Sequence, residues 1–225
     1  FEGLIDAVEL QDIRPDLHAL GARIPTGPNS PVDAQGEPAL GVDHSALTLV
    51  WSKPLGDPLG GTALANGRHE IAMFEPAAAS DTPAAAPFLL LGSLQFSDAC
   101  LRVYGHPLLL QVAEQINGPD FAPFNEALFI KDPGIGAAVS WHQDGVTHWD
   151  SDHFEEDIHG FNFMAQVYGS TAVNGVWVLP GTHKQGKLDI KALVAESGSE
   201  RLEGAVPIVC NPGDAVICNR QLLHG

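Results

Sequence analysis

Positive charge is scarce in this chain. Its 225 residues include 11 Lys and Arg against 28 Asp and Glu, a formal net charge of −17. Such a surface repels phosphate backbones and anionic bilayers, so neither nucleic acid nor membrane is an expected partner. A large anionic substrate would need a local positive patch. Cysteine is also sparse. Cys100, Cys210 and Cys218 are widely spaced, with no CxxC, which fits buried thiols in a reducing compartment. No apolar run reaches the roughly 18 residues that suggest a membrane span, and no basic-plus-apolar leader opens the chain, so a cytoplasmic location is expected. The glycines of "LGDPLGGTALANG" are not followed by GK[ST], which argues against a phosphate-cradling loop. There are no internal repeats. Phe1 opens the chain without Met and Gly225 closes it, so it reads as a piece of something longer.

Enough apolar material remains to build a core. Hydrophobic residues make up 44% and charged residues 17%, which excludes general disorder. The length suits one domain spanning 1–225. Residues 1–98 carry few legible signals beyond a short strand at Leu47–Trp51, and are expected to pack on the core. The Ala/Pro-rich run "EPAAASDTPAAAPF" reads as an exposed loop. From about residue 97 the pattern sharpens. "SDACLRVYG" predicts a short helix capped by Ser97. "HPLLLQVAEQING" predicts a second, with Pro107 in its first turn, Gly118 at its stop and an apolar face at 108, 109, 112 and 116.

The period then changes to two. Strands are predicted at 124–131, 137–143, 161–169, 175–180, 205–210 and 214–219, separated by "DPGIG", "NG", "PGTH" and "NPGD". A surface helix is expected in "LDIKALVAES". Helices followed by many short strands indicate a mainly β fold, a sandwich or barrel with helices outside.

"SWHQDGVTHW" poses the functional question. Alternate residues of a strand face the same way, so His142 and Asp144 can present an imidazole and a carboxylate together. A second His would complete a 2-His-1-carboxylate set, which holds Fe(II) on one face and leaves other positions open. His224, just beyond the strand launched by "NPGD", is the candidate. A lone HxD is a weak signal among ten His. His18, His44, His69 and His106 have no ligand-like company, and His183 reads as part of a turn. The acidic run "THWDSDHFEEDIHG" is a solvated loop, a separate metal site, or a lid that brings His148 and Trp149 to the substrate. Trp177 reads as core or pocket wall. Asn174-Gly175 and Pro180-Gly181 read as turn chemistry.

Taken together, "LFIKDPGIGAAVSWHQD", "NGVWVLPGTHKQG" and "VPIVCNPGDAVICNRQLLHG" resemble the phytanoyl-CoA dioxygenase family in order and spacing, over residues 100–225. The resemblance implies a double-stranded β-helix, or jelly-roll, cupin-like core. It also implies an Fe(II)- and 2-oxoglutarate-dependent dioxygenase that uses O2 to oxidise a small-molecule substrate, releasing succinate and CO2. It carries His142, Asp144 and His224 over as iron ligands. It suggests Asn125, Lys131 and Gln166 as co-substrate contacts, although Lys131 also reads as a solvent-facing strand end. Related halogenases leave the carboxylate position open for chloride, so Asp144 points to hydroxylation or another oxidation. One departure stands out. The family's 2-oxoglutarate-binding Arg lies about ten residues beyond the distal His, past Gly225, in a C-terminal strand absent from this sequence. Two other readings stay open: a jelly-roll metalloenzyme that does not use 2-oxoglutarate, and a non-catalytic jelly-roll binding module. Substrate, CoA-ester character and oligomeric state are not readable from the residues.

Overall fold

The computed structural model describes residues 1–41, 48–54, 81–136, 139–144, 160–198 and 202–225. These residues fall into two compact units. One contains Phe1–Leu4 and Ala138–Gly225, the other Ile5–Pro58 and Ala77–Ala137.

The second unit opens with helix α1, Ala7–Ala22, which the sequence patterning did not reveal. A capping box starts it. Asp6 accepts from the Val8 and Glu9 N–H groups, and Glu9 accepts from the Asp6 N–H at 2.8 Å. Such a cap is worth about 1 kcal/mol. Pro15 sits inside the helix and costs it one backbone bond. Strand β1, Thr48–Ser52, pairs antiparallel with β2, Ala86–Leu91, which in turn pairs with β3, Leu128–Phe129. β2 corrects the loop expectation for the end of the Ala/Pro run. Its alternate residues Ala86, Phe88 and Leu90 are buried, so the last Ala of the run faces a core. The rest of that run through residue 80 lies outside the described residues. Leu20, Leu40 and Leu90 are buried together, with Leu49, Phe96, Leu128 and Ile130 packed around them.

The two predicted helices form as α2, Asp98–Tyr104, and α3, Pro107–Asn117. Ser97 caps the first by accepting from Cys100 N–H at 3.0 Å. Gly118, at φ 85°, ends the second. The buried face of α3 differs from the expected one. Leu109 and Ala113 are buried, whereas Leu108 and Ile116 are exposed. The predicted strand 124–131 contracts to β3. Residues 122–126 run without regular structure, and Glu126 at their end accepts from Gly92 N–H and Ser93 Oγ, just past β2, at 2.6 and 2.8 Å.

The first unit carries β4, Phe161–Ala165, paired antiparallel with β7, Ala215–Asn219. The ladder runs on through bonds between Gln166 and Asp214 and between Ser170 and Cys210. Asp214 stitches its end. Its carboxylate accepts from Gly3 and Asn211 N–H groups at 2.8 and 2.7 Å, and these bonds hold it below the usual carboxylate range. A second ladder pairs β5, Trp177–Val178, with β6, Val206–Pro207. The predicted strands at 175–180 and 205–210 thus shrink to two residues each. Tight loops end them: a Cβ on Gly175 would come within 2.6 Å of the Thr171 carbonyl oxygen. Helix α4, Ile190–Ser197, follows β5, with Asp189 as its cap.

After β7 the chain turns at Asn219–Leu222 and joins the second ladder. There residues 222–225 run between 140–144 and β5. His142 and His224 exchange both backbone bonds, at 2.8 and 3.1 Å, and Trp177 and Gly225 do the same at 2.8 and 3.0 Å. The predicted strand 137–143 is therefore only an isolated bridge at His142, with residues 137–138 outside the described set. Antiparallel sheets with accompanying helices agree with the expected class. All three cysteines are free; Cys100 is buried as expected, whereas Cys210 and Cys218 are only partly buried. Among the described residues, no helix is long and apolar enough to cross a membrane.

Candidate metal centre

Alternation along two chain segments builds the site. Trp141 and Leu223 are buried in one cluster with Ile190 and Leu202, against Trp177, Leu179 and Leu188. Their neighbours His142 and His224 must then face the other way. Gly225 helps bring the segments together, since a Cβ there would meet the backbone and ring of Trp141 at 3.1–3.2 Å. The "PGTH" turn contributes through Thr182. Its hydroxyl donates to the Leu179 carbonyl at 2.7 Å and accepts from Leu223 N–H at 2.9 Å, which fixes the residue before His224. His183 sits in the short 3₁₀ turn Thr182–Lys184, as a turn residue.

Facing outward from these segments, His142, Asp144 and His224 converge. Among the described residues they form the one group of His, Cys, Asp or Glu whose ligand atoms lie within 4.8 Å of one another. His142 Nε2 is 3.3 Å from Asp144 Oδ1, and His224 Nε2 is 3.7 Å from Asp144 Oδ2. The imidazole centroids are 4.2 Å apart. Both rings are oriented from behind. His142 Nδ1 lies 2.8 Å from the Ser140 carbonyl, and His224 Nδ1 lies 2.8 Å from the Leu222 carbonyl. A carbonyl only accepts, so each Nδ1 carries the proton and Nε2 is the ring nitrogen that a metal would take. Two imidazoles and one carboxylate, brought together and held from behind, fit a divalent transition ion.

Asp144 is aimed as well. Its N–H donates to the Arg220 carbonyl at 3.0 Å, and the Asn162 amide donates to Oδ2. Asn162 faces Cys218 across the β4–β7 ladder. Burial first, then the Asp144 charge, pushes the Cys218 thiol above its ordinary pKa. Sequence reasoning missed Asn162. Its only signal is position: an amide on the strand that follows the acidic loop.

The sequence defining the phytanoyl-CoA dioxygenase (PhyH) family matches residues 56–225. The chain belongs to that family. The match takes in every residue of the His-Asp-His cluster and runs through parts of both units. The family is one of oxidoreductases with a cupin-like jelly-roll fold, acting on small molecules with iron and 2-oxoglutarate. A comparison with curated proteins gives no match. Among solved structures, the chain is similar to one described as "Crystal Structure of EvdMO1". Identity is 20% and the TM-score 0.48, over 69% of this chain and 35% of that one. The chain thus spans about a third of that relative's length.

The other expected contacts are more scattered. Gln166 follows β4 and, by alternation, shares a face with Asn162, four residues further along. Asn125 is exposed, and its carbonyl accepts from Tyr104 Oη at 3.3 Å. Lys131 follows β3. The residue is exposed as a whole, yet desolvation of its ammonium pushes the pKa below the ordinary lysine value. Both belong to the second unit, whereas the His-Asp-His cluster belongs to the first. His148, Trp149 and the rest of the acidic run to His159 lie outside the described residues.

Proposed function

We propose that the protein is an Fe(II)- and 2-oxoglutarate-dependent dioxygenase that hydroxylates, or otherwise oxidises, an unactivated C–H bond of a small organic or acyl substrate. The observation that carries this reading is the convergence of His142, Asp144 and His224, with each Nδ1 turned to a backbone carbonyl and each Nε2 turned toward the Asp144 carboxylate. The family match running through both units supports treating the chain as one oxygenase domain, with a jelly-roll core formed around these ladders.

Each residue has a defined task. His142 and His224 donate Nε2 while the Ser140 and Leu222 carbonyls hold their tautomers. Asp144 supplies the anionic ligand, and Asn162 orients it. Three protein donors on one side leave the remaining positions open for co-substrates. With 2-oxoglutarate and O2, iron bound there would supply the oxidant, with succinate and CO2 as by-products. Gln166, Asn125 and Lys131 remain the proposed co-substrate contacts, and His148 and Trp149 the proposed substrate contacts. Asp144 favours hydroxylation over halogenation, because its carboxylate takes the position that related halogenases leave open for chloride.

The direct test is anaerobic titration of the full chain with Fe(II) and then 2-oxoglutarate. A weak visible charge-transfer band, saturating at one iron per chain, is expected. Iron uptake without that band on adding 2-oxoglutarate would instead favour a metalloenzyme that does not use this co-substrate.

Asn162 offers a separate check. Asn162→Ala removes the amide that steers Asp144 but leaves all three ligands. Metal affinity should fall about 10–100-fold, the range found for outer partners of metal ligands, with the fold retained by circular dichroism. Unchanged affinity would mean that the carboxylate is aimed by its backbone alone.

A further inference from the structure

Arg220 lies where the His-Asp-His cluster meets the β4–β7 ladder. The register that pairs Phe161 with Asn219 and Asn162 with Cys218 continues one step to Gly160 and Arg220. There the Arg220 N–H donates to the Gly160 carbonyl at 3.3 Å. Residues two apart on a strand share a face, so Gly160 is on the face of Asn162 and Arg220 on that of Cys218. This is the face from which Asn162 reaches Asp144. The Arg220 carbonyl itself accepts from Asp144 N–H at 3.0 Å.

The side chain crosses Gly160, where a Cβ would meet Arg220 Cδ at 3.0 Å and Nε at 3.4 Å. Nε is buried and, among the described residues, has no hydrogen-bond partner. In a chain with 28 Asp and Glu, no ion pair to Arg220 is found among the described residues. A buried guanidinium N–H without an acceptor is costly unless a ligand takes it. The planar fork of Arg suits a carboxylate better than any other side chain does. The charge balance points the same way. Arg220 brings a positive charge beside the His-Asp-His cluster. On a chain of net charge −17 this is the local positive patch that an anionic substrate needs.

We propose that Arg220 is a specificity-determining residue that receives a carboxylate of the primary substrate, which is therefore an organic acid. This rests on the metal-centre reading above. The same chemistry could come from 2-oxoglutarate, itself a dicarboxylate, so the test separates the two.

The full chain is loaded with Mn(II) and titrated calorimetrically, first with 2-oxoglutarate. With 2-oxoglutarate present, it is then titrated with a panel of aliphatic and aromatic monocarboxylates, each beside its neutral amide. The parent should bind at least one acid about tenfold or more tighter than the amide. Arg220→Gln should lose that preference, and Arg220→Lys, which keeps the charge without the fork, should recover part of it. All three proteins should take up Mn(II) and 2-oxoglutarate alike, which also verifies that the variants are folded. An acid preference that survives in Arg220→Gln, or a parent that binds no acid better than its amide at millimolar concentration, overturns the proposal. So does selective loss of 2-oxoglutarate binding, which would give the guanidinium to the co-substrate. A parent that takes up no Mn(II) removes the metal reading and this proposal with it, whereas loss of acid preference alone concerns only Arg220.

Discussion

Asp144→Ala is expected to abolish substrate-dependent and uncoupled succinate formation and to weaken metal binding by more than about 100-fold. The expected loss exceeds the 10–100-fold typical of outer partners because a ligand itself is removed. Asp144 is the only anionic member of the cluster, so without it a divalent ion would sit between two neutral imidazoles. The side chain also bridges the two rings, at 3.3 Å from one Nε2 and 3.7 Å from the other. Its removal takes away the group that both face. The fold should survive. The backbone bond from Asp144 N–H to Arg220 O does not need the side chain, and Trp141, Gln143 and Leu223 stay buried behind it. Metal titration by calorimetry and a succinate assay read the two effects, with circular dichroism as the control. Succinate formation at the parent rate would remove the carboxylate from the proposed chemistry.

The cluster was legible because two local signals coincide with a simple period. HxD puts two ligands on one side of an extended segment, and a PGD turn fixes where the strand toward His224 begins. Elements with strong local periodicity or caps were legible too: α2, α3 and β7 form close to where Ser97, Pro107, Gly118 and the "NPGD" turn place them. The failures also have physical causes. In α1 the buried residues are Leu10, Ile13 and Leu20, too few for a clear stripe, and Pro15 interrupts them. The pair Asp6 and Glu9 was the signal to follow. β2 was hidden because its first residues belong to a run whose composition suggests a loop, although Phe88 in it is almost wholly buried. The predicted strand 137–143 overestimated pairing: alternation sets the direction of side chains, but a ladder also needs a neighbour at each step, and among its described residues only His142 has one by backbone bridging. Asn162, Thr182 and Arg220 were not legible as site residues. Their roles depend on which strand lies beside which, and the register of distant strands is not written in either strand alone.

Gln143 is the other residue of "WHQD" whose loss should be severe, through stability first. It lies between His142 and Asp144, points away from them, and is fully buried at 0% exposure. Its Nε2 donates to the Gly186 and Gln221 carbonyls at 3.0 and 2.7 Å, and its Oε1 accepts from Leu188 N–H at 2.9 Å. One amide therefore ties the segment bearing two ligands to the loop before α4 and to the turn before His224. Gln143→Leu keeps much of the volume and adds apolar burial worth about 1.5–3 kcal/mol. Against this, three backbone groups, that of Gln221 buried and those of Gly186 and Leu188 partly buried, lose their partner at about 1–3 kcal/mol each. The polar loss should win, with a net destabilisation of about 3 kcal/mol, a large part of the 5–15 kcal/mol that typically holds a domain together. At this chain length that corresponds to a fall of roughly 6–12 °C in Tm. Gln143→Glu should also be destabilised, since it keeps the acceptor for Leu188 but turns a carboxylate oxygen toward two carbonyls. If Gln143→Leu unfolds within about 1 kcal/mol of the parent in urea, hydrogen bonding is not what braces the segment. If both variants fall together, the amide holds the scaffold on which His142 and Asp144 are aimed, and metal affinity should decline with stability in the same two proteins.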